Sequence, residues 1–317
     1  MEDIIKKLKS MSIGNIEVDV LLKKHTTYKV GGNASAFVYP KDIDSLISVL
    51  KLLKDNNVKH MILGNGSNTL FSDSKYVGII IKLDELNKYT IKGTKIIAEA
   101  GANLIKVSHD AINNGLQGLE FACGIPGTIG GAVYMNAGAY KSDISEILTE
   151  VKVLTPDYEI ITMKNDELNF SYRHSFFKKN KDYIVLEATF ELKKGNKEEL
   201  LDLAMDRKRR RVESQPLEYP SAGSVFRNPP DTFSGKLIED LGLKGYTYGG
   251  AEISSKHANF IVNKDNAKAS DIKYLIDLAK NKVKEEYNID LILEQELINW
   301  EWFYERIYEW SKWTCKR

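Results

Sequence analysis

The sequence predicts an α+β fold in more than one domain, on three observations. Compact apolar runs bounded by turn residues mark strands, and longer segments with apolar residues three and four apart mark helices. The two kinds of segment are mixed along the chain without an internal repeat. The length, 317 residues, corresponds to two or three domains at roughly 150 residues each. With 43% hydrophobic and 28% charged residues, the chain has the composition of a globular protein that can bury a core.

Residues 36–40 read as a strand, and Ile43, Leu46, Ile47, Leu50 and Leu53 then fall at helical spacing with Asp42 as the cap. Residues 61–63 and 78–83 read as strands, with Gly64-Asn-Gly-Ser-Asn68 between them. Residues 91–97 form a hairpin about Gly93, and a helix carrying Leu104, Val107 and Ala111 ends near Asn114-Gly115. From Gly118 to Tyr140 the chain is dense in Gly and Ala with little periodicity, which predicts ordered loop. Strands at 151–155, 159–162 and 184–192 precede a charged helix over 197–212. Pro and Gly punctuate 215–230, the best domain boundary. Beyond it come elements at 236–240 and 258–262, a long helix over 270–287 and a strand over 292–298.

Charge and cysteine usage narrow the function classes. Lys plus Arg number 45 against 44 Asp plus Glu, so no global field favours nucleic acid or an anionic membrane. The basic run Arg207-Lys-Arg-Arg-Arg211 reads as a solvated helix end. Only Cys123 and Cys315 are present, which argues for free thiols in a reducing compartment and hence the cytoplasm. The first ten residues lack the apolar core of a secretory signal, and no run approaches the roughly 18 to 20 apolar residues of a membrane span. His25, His60, His109, His174 and His257 are isolated, so no metal site is expected.

Two glycine loops carry the first chemical signal, because backbone without side chains can bring several N–H groups onto a diphosphate. Gly64 to Asn68 follows a strand but has Thr69 where the dinucleotide fingerprint needs a third glycine. Read alone, it fits a sharp turn as well as a phosphate cradle. Cys123-Gly-Ile-Pro-Gly-Thr-Ile-Gly-Gly-Ala132 places four glycines around one proline, an entropic cost that a plain connection does not need. Asn136 and Gly138 continue the small-residue theme.

Together with Thr26-Thr-Tyr-Lys-Val-Gly-Gly32, these loops resemble the FAD-binding motifs of the UDP-N-acetylenolpyruvoylglucosamine reductase family, and the similarity runs in order from about residue 24 to residue 298. The resemblance implies a vanillyl-alcohol-oxidase-like FAD-binding fold of two subdomains, 1–84 with 290–317 and 85–213, plus a C-terminal α+β substrate-binding domain, 214–289. It implies non-covalent FAD held by Gly64, Asn65, Gly66, Ser67, Asn68, Pro126, Gly127, Thr128, Gly130 and Gly131, with Asn136 and Gly138 nearby. NADPH would be the co-substrate and UDP-N-acetylglucosamine enolpyruvate the substrate of a monomer, with no nucleic acid or membrane partner.

Reducing an enolpyruvyl ether needs hydride delivery to the terminal carbon, a cation for the developing charge on the carboxylate, and a proton donor to the middle carbon. Read without the resemblance, Arg173 is a surface arginine, Ser224 a turn serine, and Glu294 and Glu296 a solvated strand edge. The resemblance matches Arg173 in Phe170-Ser-Tyr-Arg173, Ser224 in Tyr219-Pro-Ser-Ala-Gly-Ser224, and Glu296 in Leu293-Glu-Gln-Glu-Leu297 to the family's catalytic residues. Tyr172, Phe226 and Asn228 would touch the substrate. The chain departs from the family pattern at Gln295, where proline is usual, at Ser214, where a basic residue is usual, and in a Trp-rich tail over 300–317 expected to pack on the domain. The Arg173 to Ser224 spacing fits the shorter form lacking an extra substrate-covering loop. A flavin oxidase of the same broader fold, or a non-catalytic nucleotide-sugar module, are the competing readings.

Overall fold

The computed structural model describes residues 1–300. In chain order the elements are α1 (Glu2–Ser10), β1 (Gly14–Leu21), β2 (Asn33–Pro40), α2 (Ile43–Asp55), β3 (His60–Ile62), β4 (Thr69–Phe71), β5 (Tyr76–Ile81), β6 (Tyr89–Lys92), β7 (Lys95–Glu99), α3 (Leu104–Asn113) and β8 (Leu116–Gln117). There follow α4 (Ile129–Met135), β9 (Gly138–Ala139), β10 (Ser142–Asp143), β11 (Leu148–Leu154), β12 (Ile160–Lys164), β13 (Ile184–Glu191), β14 (Lys193–Lys194) and α5 (Lys197–Ser214). The chain closes with α6 (Ser234–Asp240), β15 (Thr247–Tyr248), β16 (Ala251–Ile253), β17 (Ile261–Asn263), α7 (Ala269–Tyr287) and β18 (Glu296–Ile298). Among the described residues, no helix is long and apolar enough to cross a membrane.

The chain divides into two compact units. The first holds Met1–Val18, Ala36–Asn65 and Gly78–Ser214, and the second holds Asp19–Ser35, Gly66–Val77 and the chain from Gln215 onward. In the first unit an antiparallel sheet runs β12-β11-β13-β7-β6. Its inner residues Ile96, Ala98, Val151, Val153, Ala188 and Phe190 share one core with Leu104, Val107 and Ala111 of α3 and with Ile129, Ala132 and Val133 of α4. The predicted hairpin forms with Gly93 at φ 62°, where glycine carries no steric penalty. Asp42 caps α2 by accepting from the Ser45 N–H at 2.8 Å.

In the second unit β15, β16 and β17 form an antiparallel sheet. Ile272, Leu275, Ile276, Ala279 and Val283, a stripe along α7, pack with Val225, Phe226, Ile253, Ile261 and Leu291. The Asp73 carboxylate accepts from the N–H groups of Ala269 and Ser270 at 2.8 and 2.9 Å, so the start of α7 is capped by a residue far away in sequence. Trp300 is buried in the same core and donates its indole N–H to the Leu70 carbonyl at 2.9 Å. The packing expected of the tail over 301–317 lies outside the described residues.

Three local expectations change. Within the segment expected to be loop, 118–140, lies α4, whose two glycines cost roughly 1 kcal/mol each in propensity. Complete burial of Ile129 and Val133, and a Thr128 cap accepting from the Gly131 N–H at 3.3 Å, outweigh that cost. The strand expected over 292–298 narrows to β18, because only Glu296, Leu297 and Ile298 find parallel partners, on β4. The basic run is not merely solvated. Arg209 and Arg210 pair with Asp206 at the surface, but Arg207 lies over the Tyr140 ring at 5.0 Å and Arg211 is partly buried, donating to the Gly124 carbonyl.

Candidate active site

The first glycine loop leaves β3 and enters β4. No acceptor for the N–H groups of Gly64, Asn65, Gly66 and Ser67 is found among the described residues, a run of donors in one tight loop. Gly66 has φ +60°, and a Cβ there would stand 2.4 Å from the His25 carbonyl oxygen, so only glycine fits. The Thr27 hydroxyl, whose own N–H donates to the Gly66 carbonyl at 3.3 Å, is buried without a hydrogen-bond partner among the described residues. An orphaned buried hydroxyl beside unpaired N–H groups is the environment that an anionic ligand would complete. Thr27 was not among the residues singled out from sequence, although it stands inside the Thr26 to Gly32 motif.

The second loop is built differently. Its Gly127 N–H donates to the Ile125 carbonyl at 2.8 Å, Ile129 to Ala102 at 2.9 Å and Gly130 to Ala100 at 2.8 Å. Those donors are therefore spent inside the protein. A Cβ on Gly130 would lie 3.0 Å from that of Ala100, and one on Gly64 would lie 2.9 Å from the Thr128 hydroxyl oxygen, so these glycines serve close packing. Gly127 is the exception: a Cβ there would meet nothing within 4 Å. Pro126 is exposed beside it, and its carbonyl accepts from the Asn65 side chain at 3.5 Å.

Asn136 and Gly138, expected near the cofactor, have structural roles as well. Asn136 is 1% exposed, its amide N–H₂ donates to the Ser171 carbonyl at 3.1 Å, and its oxygen accepts from the Ser145 N–H at 3.0 Å. The side chain is therefore held by the protein itself. Gly138 pairs with Asp143 in a short hairpin where a Cβ would stand 2.5 Å from the Ser142 carbonyl oxygen. Both support Arg173. Ser171 and His174 exchange backbone hydrogen bonds at 3.0 and 3.1 Å around a two-residue turn, and Asn136 holds that turn by the Ser171 carbonyl.

In that turn Arg173 takes a left-handed conformation, φ 56°, unfavourable for a residue with a side chain and typical of places where geometry is held for function. Its guanidinium donates to the Gly138 carbonyl at 2.8 Å and lies over the Tyr172 ring at 5.3 Å. Tyr172 itself is 51% exposed.

Within the second unit, Ser224 and Glu296 are brought close by backbone pairing. The Glu294 N–H donates to the Val225 carbonyl and the Arg227 N–H to the Ile292 carbonyl, each at 2.9 Å, and Phe226 bridges Leu293. Asn68 of the first loop ties into the same strand: its amide donates to the Glu294 carbonyl at 3.0 Å, and its own carbonyl accepts from the Glu296 N–H at 2.9 Å. The half-buried Ser224 hydroxyl has no hydrogen-bond partner among the described residues. Arg173 belongs to the first unit. Asn228 is exposed, its side-chain oxygen accepting from the Ser234 N–H at 3.2 Å. Phe226, in contrast, is 1% exposed and part of the core, so it has no side-chain surface with which to touch a substrate. Cys123 offers no nucleophile, since burial first and the nearby Glu120 second push its thiol up to about 11.

Comparison with known proteins shows the family. A family model described as UDP-N-acetylenolpyruvoylglucosamine reductase, C-terminal domain, matches residues 215–298, and one described as FAD binding domain matches residues 34–164. The UDP-N-acetylenolpyruvoylglucosamine reductase of Clostridium kluyveri is 47% identical over 298 residues, 94% of this chain and 98% of that protein. That of Halalkalibacterium halodurans is 45% identical over 299 residues, 94% of this chain and 99% of its own. The crystal structure of the enzyme from Thermus caldophilus superimposes with a TM-score of 0.77 at 36% identity, covering 89% of this chain and 99% of that one. The expected FAD-binding fold with a C-terminal domain is therefore present, and the chain belongs to the UDP-N-acetylenolpyruvoylglucosamine reductase family.

Proposed function

We propose that this chain reduces UDP-N-acetylglucosamine enolpyruvate to UDP-N-acetylmuramate for peptidoglycan synthesis, using NADPH and non-covalent FAD. The observation that carries the reading is the pairing of the Ser224 segment with residues 292–294, which lead into the strand of Glu296 and are tied at Glu294 and Glu296 by Asn68 to a loop with unspent N–H donors. FAD, when bound, supplies hydride transfer from NADPH to the substrate. The N–H groups of Gly64 to Ser67 and the Thr27 hydroxyl supply donors for its diphosphate, and the open face of Gly127 lets backbone approach it.

The remaining tasks fall to side chains. Arg173 is held ready by its turn to steady the carboxylate on which negative charge develops, and a guanidinium suits a planar carboxylate with two parallel donors. The Ser224 hydroxyl delivers the proton to the carbon alpha to that carboxylate, and Glu296 orients the reacting group beside it. Tyr172 and Asn228 present exposed polar groups to the nucleotide sugar. Within this reading the chain works as a cytoplasmic monomer, with 85–213 an FAD subdomain and the substrate domain beginning at 214. The change of compact unit between Ser214 and Gln215 supports that start, while the described residues from 290 onward stay in the same unit as 215–289 and do not group with the whole of 1–84 as expected.

Ser224→Ala tests the assignment. Under anaerobic conditions NADPH should bleach the flavin of the variant at the wild-type rate, while recovery of colour on adding the enolpyruvyl sugar slows by about 10²- to 10⁴-fold. Recovery at the wild-type rate would sink the role given to Ser224.

A further inference from the structure

We propose that Gln295, which stands where the family pattern has proline, is a positioning residue that sets the geometry of Ser224 for proton delivery. The inference rests on the reading of Ser224 as the proton donor. Gln295 is 4% exposed, and its side-chain amide makes three hydrogen bonds, all within the second unit. The amide nitrogen donates to the carbonyls of Ala222 and Gly223, at 3.2 and 3.3 Å. Its oxygen accepts from the Tyr28 hydroxyl at 3.1 Å, and Tyr28 is itself fully buried, with its backbone carbonyl held by the Asn263 amide at 3.1 Å. Two carbonyls on one side of the amide demand the nitrogen there, so the network fixes which way the amide points.

Ala222 and Gly223 are the two residues before Ser224. Gly223 has φ +73°, a conformation glycine holds without side-chain packing, and a Cβ there would meet no protein atom within 4 Å. Ala222 and Val225 are buried on either side, but Gly223 has no side chain to fix the peptide unit entering Ser224, and the Gln295 amide supplies that restraint. On the other flank, Val225 donates to the Asn259 carbonyl at 2.9 Å and accepts from the Glu294 N–H. Gln295 thus clamps the peptide units before the serine, while its neighbours Glu294 and Glu296 are tied to Asn68. A proline at this position has no side-chain donor or acceptor and makes none of these three contacts. Misplacing a reacting group by about 1 Å can cost on the order of 10²-fold in rate, so loosening this clamp should be felt at the proton-transfer step and not at flavin reduction.

The test uses the flavin-loaded full chain in anaerobic stopped flow, with NADPH to reduce it and UDP-N-acetylglucosamine enolpyruvate to reoxidise it. Gln295→Met keeps the length and apolar stem and removes both polar ends. Its flavin reduction should stay within about twofold of wild type while reoxidation slows about 10- to 10²-fold. Added to Ser224→Ala, Gln295→Met should slow reoxidation no further, because its effect passes through the serine. Equal slowing of both half-reactions, reoxidation at the wild-type rate, or full additivity with Ser224→Ala would each overturn the proposal. Should Gln295→Met fail to retain flavin, Tyr28→Phe decides: it removes only the hydroxyl that orients the amide, and reoxidation should slow about 3- to 10-fold with reduction unchanged, whereas no change refutes the clamp. If Ser224→Ala itself reoxidises normally, the reading of the serine has failed; if it is slow and Gln295→Met is normal, only the positioning role has failed.

Discussion

Residues 64–68 and residues 123–132 are both rich in glycine, yet their backbone N–H groups end in different places. The first loop leaves those of Gly64 to Ser67 without acceptors among the described residues, next to the unpartnered Thr27 hydroxyl. In the second, Gly127, Ile129 and Gly130 donate inside the protein, the Thr128 N–H alone among these neighbours having no acceptor among the described residues, and a Cβ on Gly130 would crowd that of Ala100 at 3.0 Å. Glycine density by itself therefore does not report ligand contact. What separates a cradle from a packing motif is whether the donors remain available and whether the missing Cβ would meet protein or open space.

Replacing Gly66 by Ala should break the first loop most severely. The positive φ and the His25 carbonyl 2.4 Å from the new Cβ both oppose the change, so flavin affinity should fall by at least about 10²-fold, read by fluorescence titration of the apoprotein. A variant that binds flavin normally would mean that the loop relaxes freely and is not a preformed cradle.

Gly127→Ala sharpens the contrast from the other loop. With no protein atom within 4 Å of the new methyl group, the thermal midpoint of the apoprotein should move by less than about 2 °C, while flavin binding weakens about 10-fold if FAD lies against this face. Unchanged flavin affinity would remove Gly127 from the site.

The smallest effect is expected for Thr27→Val. Because the hydroxyl has no partner among the described residues, apoprotein stability should hold or rise by about 1 kcal/mol, measured by urea denaturation. Flavin affinity should fall about 3- to 10-fold through loss of one donor. A loss of apoprotein stability would place the hydroxyl in the protein's own hydrogen-bond network instead.

Much of the regular structure was legible because it depends on local pattern. Asp42 at the start of an apolar 3.6-residue repeat, Gly93 between two short apolar runs, and the stripe from Ile272 to Val283 each specify their element through a few neighbours. Helix α4 was not legible, since its two glycines argue against helix and the burial that favours it comes from the sheet. The site divides along the same line. Motif resemblance singled out Arg173, Ser224 and Glu296; the fold shows a supported turn at Arg173 and, separately in the second unit, backbone pairing between the segments of Ser224 and Glu294. It gave no sign that the Asn136 side chain bonds Ser145 and Ser171 or that the Phe226 ring is buried in a core. It passed over Thr27, because an orphaned hydroxyl has no sequence signature.

Residue order alone therefore determined the family, the secondary elements with strong periodicity, and the positions at which a charged or hydroxyl group is available for chemistry. Only tertiary structure decided which polar groups are already satisfied. Hydrogen-bond partners such as Gln295 with Ala222 and Tyr28, or Asp73 with Ala269, lie tens to hundreds of positions apart, and their pairing follows from how sheets and helices pack rather than from any local pattern.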